Sequence, residues 1–220
     1  MTDNPDTILF DLDGTLTDPK EGIVNSILYA LDRLGIHENS VDELDSFIGP
    51  PLRESFAARY NLSNEHADKA VNIYREYFSV KGLFENKLYP GVSELLESLS
   101  SQKYTLFVAT SKPTLFARQI LRHFDLEKYF HDIIGSNLDN SRTDKTEIIS
   151  HVVSLHSLNI NRCIMVGDRK HDMIGAKNNS MQTIGVTYGY GSLQELLACR
   201  PDFIVKDCAE IKSILSKLLL

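Results

Sequence analysis

The stretch Thr7-Ile8-Leu9-Phe10-Asp11-Leu12-Asp13-Gly14-Thr15 decides the fold. A short apolar run stops abruptly at two aspartates and a glycine that permits a tight turn, the pattern of a buried strand delivering polar groups at its carboxyl end. Similar runs recur at Thr105–Ala109, Asp132–Ile134, Cys163–Val166, Thr183–Val186 and Phe203–Val205. Their unbroken apolarity predicts strands covered on both faces. Between them lie helical patterns at Val92–Leu99, Leu115–Phe124, Thr146–Leu158, Met173–Asn178 and Ala209–Leu219. Strands alternating with helices predict an α/β fold with a parallel sheet.

From Pro19 to Phe84 the alternation breaks, and only helical periodicity is found. Ile23, Ile27, Leu31 and Leu34 recur at three- and four-residue intervals, Leu52–Tyr60 and Glu65–Phe78 repeat the habit, and Ser63 or Asn64 is placed to cap the last helix. Tyr29, Phe47, Phe56, Tyr60, Tyr74, Tyr77, Phe78 and Phe84 supply a core for this bundle. The expected organisation is therefore an α/β core, residues 1–17 and 88–220, interrupted by a helical domain, residues 18–87. An insertion after the first strand is expected above the carboxyl ends of the sheet, where open α/β sheets bind ligands, and so to act as a lid.

Composition narrows the function. The chain has 220 residues, 42% hydrophobic and 24% charged, which excludes disordered and fibrous classes. Lys+Arg 23 against Asp+Glu 30 gives a net charge of −7, the wrong sign for a nucleic-acid or anionic-membrane partner. The three cysteines, Cys163, Cys199 and Cys208, form no metal or disulfide spacing, consistent with a reducing compartment. Met1–Asp6 is polar and acidic, and no apolar run reaches the roughly 18 residues of a membrane span, so a cytoplasmic location is expected.

Residues two apart in an extended segment point the same way, so Asp11 and Asp13 are expected to converge. Asp168 and Asp172 follow another strand through Gly167, which would gather up to four carboxylates at one sheet edge. Oxygen-only ligation suits Mg²⁺. Thr110-Ser111-Lys112 and Lys145, at two further strand ends, offer hydroxyl donors and ammonium groups that complement a phosphate.

These residues closely resemble the haloacid dehalogenase superfamily of phosphatases. Its first motif, Asp-x-Asp-Gly-Thr, stands as Asp11–Thr15; its second, a Ser or Thr closing an apolar strand, matches Thr110; its third is Lys145; its fourth, Gly-Asp-x-x-x-Asp, is Gly167–Asp172. The resemblance covers essentially the whole chain and implies a Rossmann-like core with an inserted α-helical cap. The phosphoglycolate phosphatase branch is the most similar, on Ile48–Leu52, Thr110–Pro113, Gly167–Asp172 and Gly185–Gly189, although Lys145 is followed by Thr146-Glu147 where relatives often carry Pro-x-Pro.

The resemblance implies that Asp11 attacks phosphorus to form an aspartyl-phosphate and that Asp13 serves as general acid and base. It implies Mg²⁺ held by the Asp11 carboxylate, the Asp13 carbonyl and Asp168, with Asp172 ligating or one shell out, and phosphoryl oxygens bound by Thr110, its neighbours Ser111 and Lys112, and Lys145. Arg53, four residues after Gly49, is the candidate contact to a second polar or anionic group of the substrate. His171 is left outside the site. Small phosphorylated metabolites are the expected partners, with oligomeric state open. A 5'-nucleotidase or pyrophosphatase of the same fold, a phosphosugar mutase, and a receiver-like phospho-acceptor module are the alternatives.

Overall fold

A computed structural model describes residues 6–139 and 141–218. The acidic start at Met1–Pro5, Asn140 in the loop before Lys145, and Leu219 of the last expected helix lie outside the described residues. The chain divides into two compact units, one made of the residues up to Thr17 and from Leu88 onward, the other Asp18–Lys87.

The first unit is built on a six-stranded sheet of β1 (Thr7–Phe10), β4 (Thr105–Pro113), β5 (Asp132–Ser136), β6 (Cys163–Gly167), β7 (Gln182–Val186) and β8 (Phe203–Val205) in the order β5-β4-β1-β6-β7-β8. Every pairing is parallel, with Leu9 opposite Phe107 on one side and Met165 on the other. β1 is thus central, flanked by the strands where chain order reverses, the place at which open α/β sheets gather ligands. Alternate side chains go to opposite faces. Leu9, Phe107, Ala109 and Met165 pack with Ile148, Ile149 and Val152 of α6 (Lys145–Leu155) and Ala176 of α7 (Lys170–Asn178). Ile8, Phe10, Val108 and Val166 are also fully buried, so both faces are covered. Four further helices complete the unit: α4 (Val92–Ser101), α5 (Thr114–His123), α8 (Leu193–Ala198) and α9 (Cys208–Leu218).

Local chemistry sets several boundaries differently from the periodicity. α6 begins at Lys145 because the Asp144 carboxylate accepts from the amides of Thr146 and Glu147 at 2.8 and 3.2 Å. It ends at Leu155 rather than Leu158, where Ser157 turns left-handed at φ 50°. α7 begins three residues before Met173, so Asp172 lies in its first turn and accepts from the Arg169 amide at 3.0 Å. β4 runs on past Ala109 to Pro113, advancing four positions there while β5 advances only from Ile134 to Ser136. That bulge swings Thr110-Ser111-Lys112 away from the regular ladder.

The second unit holds α1 (Lys20–Leu34), α2 (Leu52–Tyr60) and α3 (Asn64–Tyr77), with a 3₁₀ segment at Val41–Phe47 and a π-type turn at Phe78–Gly82. Ser63 is the cap of α3, accepting from the His66 amide. Ile23, Ile27 and Leu31 are buried with Phe47, Phe56, Tyr74 and Phe78, and the rings of Phe47 and Phe56 lie 5.2 Å apart, edge to face. Phe84 departs from the expected core: it is exposed, following the π-type turn that ends the last helix of the unit. Short strands β2 (Thr17–Asp18) and β3 (Lys87–Leu88) pair where the chain passes between the units.

Candidate active site

β1 ends in a tight turn in which the amides of Leu16 and Thr17 both bond back to the Leu12 carbonyl. Gly14 makes it possible, with φ +83° and no room for a Cβ, which would lie 2.3 Å from the Asp168 Oδ2. The turn leaves Asp11 at the strand tip, its Oδ1 accepting from the Leu12 amide at 2.8 Å.

Asp11, Asp168 and Asp172 meet at the carboxyl ends of β1 and β6, each offering an oxygen within 4.8 Å of the others, and all three are buried. Lys145 joins them. Its Nζ lies 2.9 Å from Asp11 Oδ1 and 2.8 Å from Asp172 Oδ1, and it donates to the Ala109 carbonyl at 2.9 Å. Burial opposes the charge on Lys145, but the two carboxylates outweigh it and hold its pKa well above the ordinary lysine value. Burial pushes the carboxyl of Asp168 up, with Asp172 and Asp11 adding repulsion. Asp172 is likewise raised by burial, with Lys145 pulling it down and Asp11 pushing it up.

One buried ammonium thus faces three buried carboxylates. The chemistry of this donor set fits a hard divalent cation: all donors are carboxylate oxygens and the group carries an excess of negative charge.

Asp13 lies at the same sheet edge, near enough for Asp11 and Lys145 to act on its carboxylate. That carboxylate is not one of the three clustered oxygens, and it pairs with Lys112, Nζ to Oδ2 at 2.8 Å. The Asp13 Oδ1 is buried without a hydrogen-bond partner. Burial raises the Asp13 pKa, and Lys112 partly offsets the rise.

Thr110 is buried, and its hydroxyl accepts from the Lys112 amide at 3.2 Å. The Ser111 hydroxyl is turned to structural use, donating to the Thr143 carbonyl at 3.1 Å and so tying the bulge to the loop before Lys145. Arg53 belongs to the second unit, where its Nε lies 2.7 Å from the Asp68 carboxylate. In the loop that follows β5, Arg142 donates to the Gly135 carbonyl at 3.2 and 3.3 Å, which closes the loop on itself.

Residues to which the sequence reading gave no role surround Asp168. The Thr15 hydroxyl donates to its Oδ1 at 3.3 Å, the Tyr190 amide donates to its Oδ2 at 2.7 Å, and the Tyr188 hydroxyl fixes Thr15 by donating to its carbonyl at 2.9 Å. Gly189 approaches so closely that a Cβ there would fall 2.4 Å from Asp168. The signal was present as Gly189-x-Gly191 just past a strand's carboxyl end.

Sheet order, strand-end carboxylates and lysine together place a buried, acidic cluster at the carboxyl edge of an α/β sheet. The chain belongs to the haloacid dehalogenase-like hydrolase family, whose model matches residues 8–186. It is similar to a 5'-nucleotidase of Pseudomonas aeruginosa, with 50% identity over 208 residues and 94% of each chain covered. It is 38% identical over 204 residues to the tyrosine-protein kinase PtkA of Mycobacterium tuberculosis, covering 93% of this chain and 67% of that protein. Among solved structures, a predicted phosphatase from Clostridium acetobutylicum superposes with a TM-score of 0.93 at 45% identity, covering 97% of this chain and 99% of that one. The protein is a phosphatase of this family, a class that hydrolyses phosphomonoesters of small compounds. Among the described residues, no helix is long and apolar enough to cross a membrane.

Proposed function

We propose that the protein is a Mg²⁺-dependent phosphomonoesterase working through an aspartyl-phosphate on Asp11. The observation that carries the reading is the buried group of Asp11, Asp168 and Asp172 with Lys145 as its counter-ion. The carboxylates of Asp11 and Asp168, with the Asp13 carbonyl, would hold the ion, and Asp172, already engaged by Lys145 and the Arg169 amide, would ligate or orient it. Bound there, Mg²⁺ would neutralise charge on the phosphoryl oxygens.

The Asp11 carboxylate attacks phosphorus, and Lys145, 2.9 Å from its Oδ1, holds that carboxylate in position. Asp13 donates a proton to the departing oxygen and then takes one from the hydrolytic water. Thr110, Ser111 and Lys145 are the proposed donors to phosphoryl oxygens, Ser111 through its backbone because its hydroxyl is committed to Thr143, whereas the Lys112 ammonium, also expected among them, is engaged by Asp13.

Nucleoside 5'-monophosphates are the first substrate class, supported by the similarity to the Pseudomonas nucleotidase over 94% of the chain. Phosphoglycolate is the second, supported by relatives of that name at 28–29% identity. Phosphate release should be measured with Mg²⁺, and after chelation, across nucleoside monophosphates, phosphoglycolate, sugar phosphates and pyrophosphate. Activity that survives complete chelation would remove the metal from the reading. Return of the phosphoryl group to a sugar would make the protein a mutase, and a long-lived phosphoprotein without turnover would make it a receiver-like acceptor. Arg53→Ala should cost roughly ten- to a hundredfold in kcat/KM for substrates with a second polar or anionic group and spare p-nitrophenyl phosphate. Equal losses on both would leave Arg53 as the surface partner of Asp68.

A further inference from the structure

We infer that Lys112 is a positioning residue for Asp13: its ammonium pins one carboxylate oxygen so that the other is the atom presented for proton transfer. The inference rests on the acid role proposed for Asp13 and replaces a direct substrate contact as the main work of Lys112.

The geometry is specific. Lys112 Nζ lies 2.8 Å from Asp13 Oδ2, with the two side chains only 6% and 13% exposed. Asp13 Oδ1 is buried and has no hydrogen-bond partner, so the carboxylate has one committed oxygen and one open oxygen. A few residues away stand Lys145 and a site fitted to a divalent ion, either of which would draw in a fourth carboxylate. Asp13 nevertheless stays out of the group formed by Asp11, Asp168 and Asp172. A competing cation is needed to hold it there, and Lys112 supplies one at contact distance.

The lysine is anchored at its base. It stands on the β4 bulge, whose backbone is fixed on both sides: the Lys112 amide donates to the Thr110 hydroxyl at 3.2 Å, the Ser111 hydroxyl donates to the Thr143 carbonyl at 3.1 Å, and the Ser136 hydroxyl donates to the Ser111 carbonyl at 2.8 Å. An ammonium on a flexible stem becomes a fixed point charge only when its backbone is held in this way. The bulge that lengthens β4 thus has a use: it sets Lys112 against a residue of the β1 turn. A lysine kept for substrate would have to break this buried pair at each turnover.

The test is a double-mutant cycle read on two leaving groups in the full-length enzyme with Mg²⁺. Single-turnover release is measured for an alkyl phosphate, whose leaving oxygen needs a proton, and for p-nitrophenyl phosphate, whose phenolate largely does not. Lys112→Met should slow alcohol release roughly ten- to a hundredfold and leave nitrophenolate release nearly unchanged. In an Asp13→Asn background the same substitution should change neither rate, because the group it positions is gone. Lys112→Arg, which keeps the charge but displaces it, should show a smaller loss confined to the alkyl ester, and it serves if Lys112→Met folds poorly.

Equal slowing of both leaving groups, a rise in KM alone, or an undiminished effect of Lys112→Met on the Asp13→Asn background would overturn the inference and return Lys112 to substrate binding. If Asp13→Asn by itself shows no contrast between leaving groups, the proton-donor role of Asp13 fails first, and the positioning role falls with it.

Discussion

Carboxylates drawn largely out of solvent occur in both units, and they are treated in opposite ways. In the Asp18–Lys87 unit, Glu38 is fully compensated: Arg59 reaches it with Nε at 2.8 Å and a terminal nitrogen at 3.0 Å, the Tyr60 hydroxyl donates to it, and so does the Ser40 amide at 2.8 Å. These donors, Arg59 foremost, hold the Glu38 carboxyl down at about 2. In the α/β unit, one lysine pairs with Asp11 and Asp172 beside Asp168, and burial drives Asp168 and Asp172 upward. The first arrangement contributes stability. The second sacrifices it for a site whose missing charge a ligand must bring.

The largest test of this contrast is Asp11→Asn, which should remove turnover altogether while the protein melts at or above the wild-type temperature without metal, since one repelling charge is gone. A drop in melting temperature would mean that Asp11 is a structural partner of Lys145 first. Next comes Lys145→Met, which leaves three buried carboxylates without their counter-ion. Breaking such a group costs about 3–5 kcal/mol, and in a chain of this size a melting point lower by on the order of 10 °C is expected, partly recovered by Mg²⁺. An unchanged melting curve would show that the carboxylates are neutral in the metal-free protein.

Glu38→Gln should cost about 1–3 kcal/mol, read from chemical denaturation, because Arg59 loses its charged acceptor. The pH dependence carries a sign. The folded pKa of Glu38 lies below its ordinary 4.5, so its stabilisation is complete above that value and is lost as pH falls toward about 2. The variant should therefore lose less stability than the wild type between pH 5 and pH 3.

Asp168→Asn is the smallest expected change and has the opposite sign. The folded pKa of Asp168 lies above its ordinary 3.8, so the folded chain holds a proton that the unfolded chain releases, and the penalty grows as pH rises from there. The metal-free variant should gain a few degrees over wild type at pH 8 and much less at pH 4, and with Mg²⁺ the order at pH 8 should reverse. A variant less stable at every pH, with and without Mg²⁺, would place Asp168 among the structural carboxylates beside Glu38.

Much of this was legible in the sequence, for reasons that differ by residue. Thr7–Phe10 and Phe203–Val205 read as strands because nothing polar interrupts them, and Leu52–Tyr60, read as helical, matches α2 at both ends, with Asn61 turning left-handed just past it. Asp11, Asp168 and Lys145 could be placed together because each stands at the carboxyl end of a recognisable strand or at the start of the helix after one. The extension of β4 was hidden because Thr110-Ser111-Lys112-Pro113 has turn chemistry, and its pairing depends on β5. The first turn of α7 was hidden because Lys170-His171-Asp172 carries no apolar periodicity and is held by the Asp172 carboxylate. The partnership of Asp13 with Lys112, and the hold of Tyr190 and Thr15 on Asp168, are tertiary. Spacing along the chain contains no trace of them.

The central position of β1 has a consequence during synthesis. Ile8, Leu9 and Phe10 leave the ribosome long before either of their neighbours, since β1 pairs with Thr105–Val108 on one side and Cys163–Val166 on the other. At about 5–20 residues per second, the interval before the second neighbour emerges is on the order of ten to thirty seconds. Until Thr105–Val108 emerges both edges of this apolar strand are unpaired, and one edge stays open to chaperones, proteases and other nascent chains until Cys163–Val166 follows, while the helices of Asp18–Lys87 can already gather their own core. Ribosome-bound chains halted before Cys163 should therefore be cleaved readily near β1 and sparingly within α1 to α3.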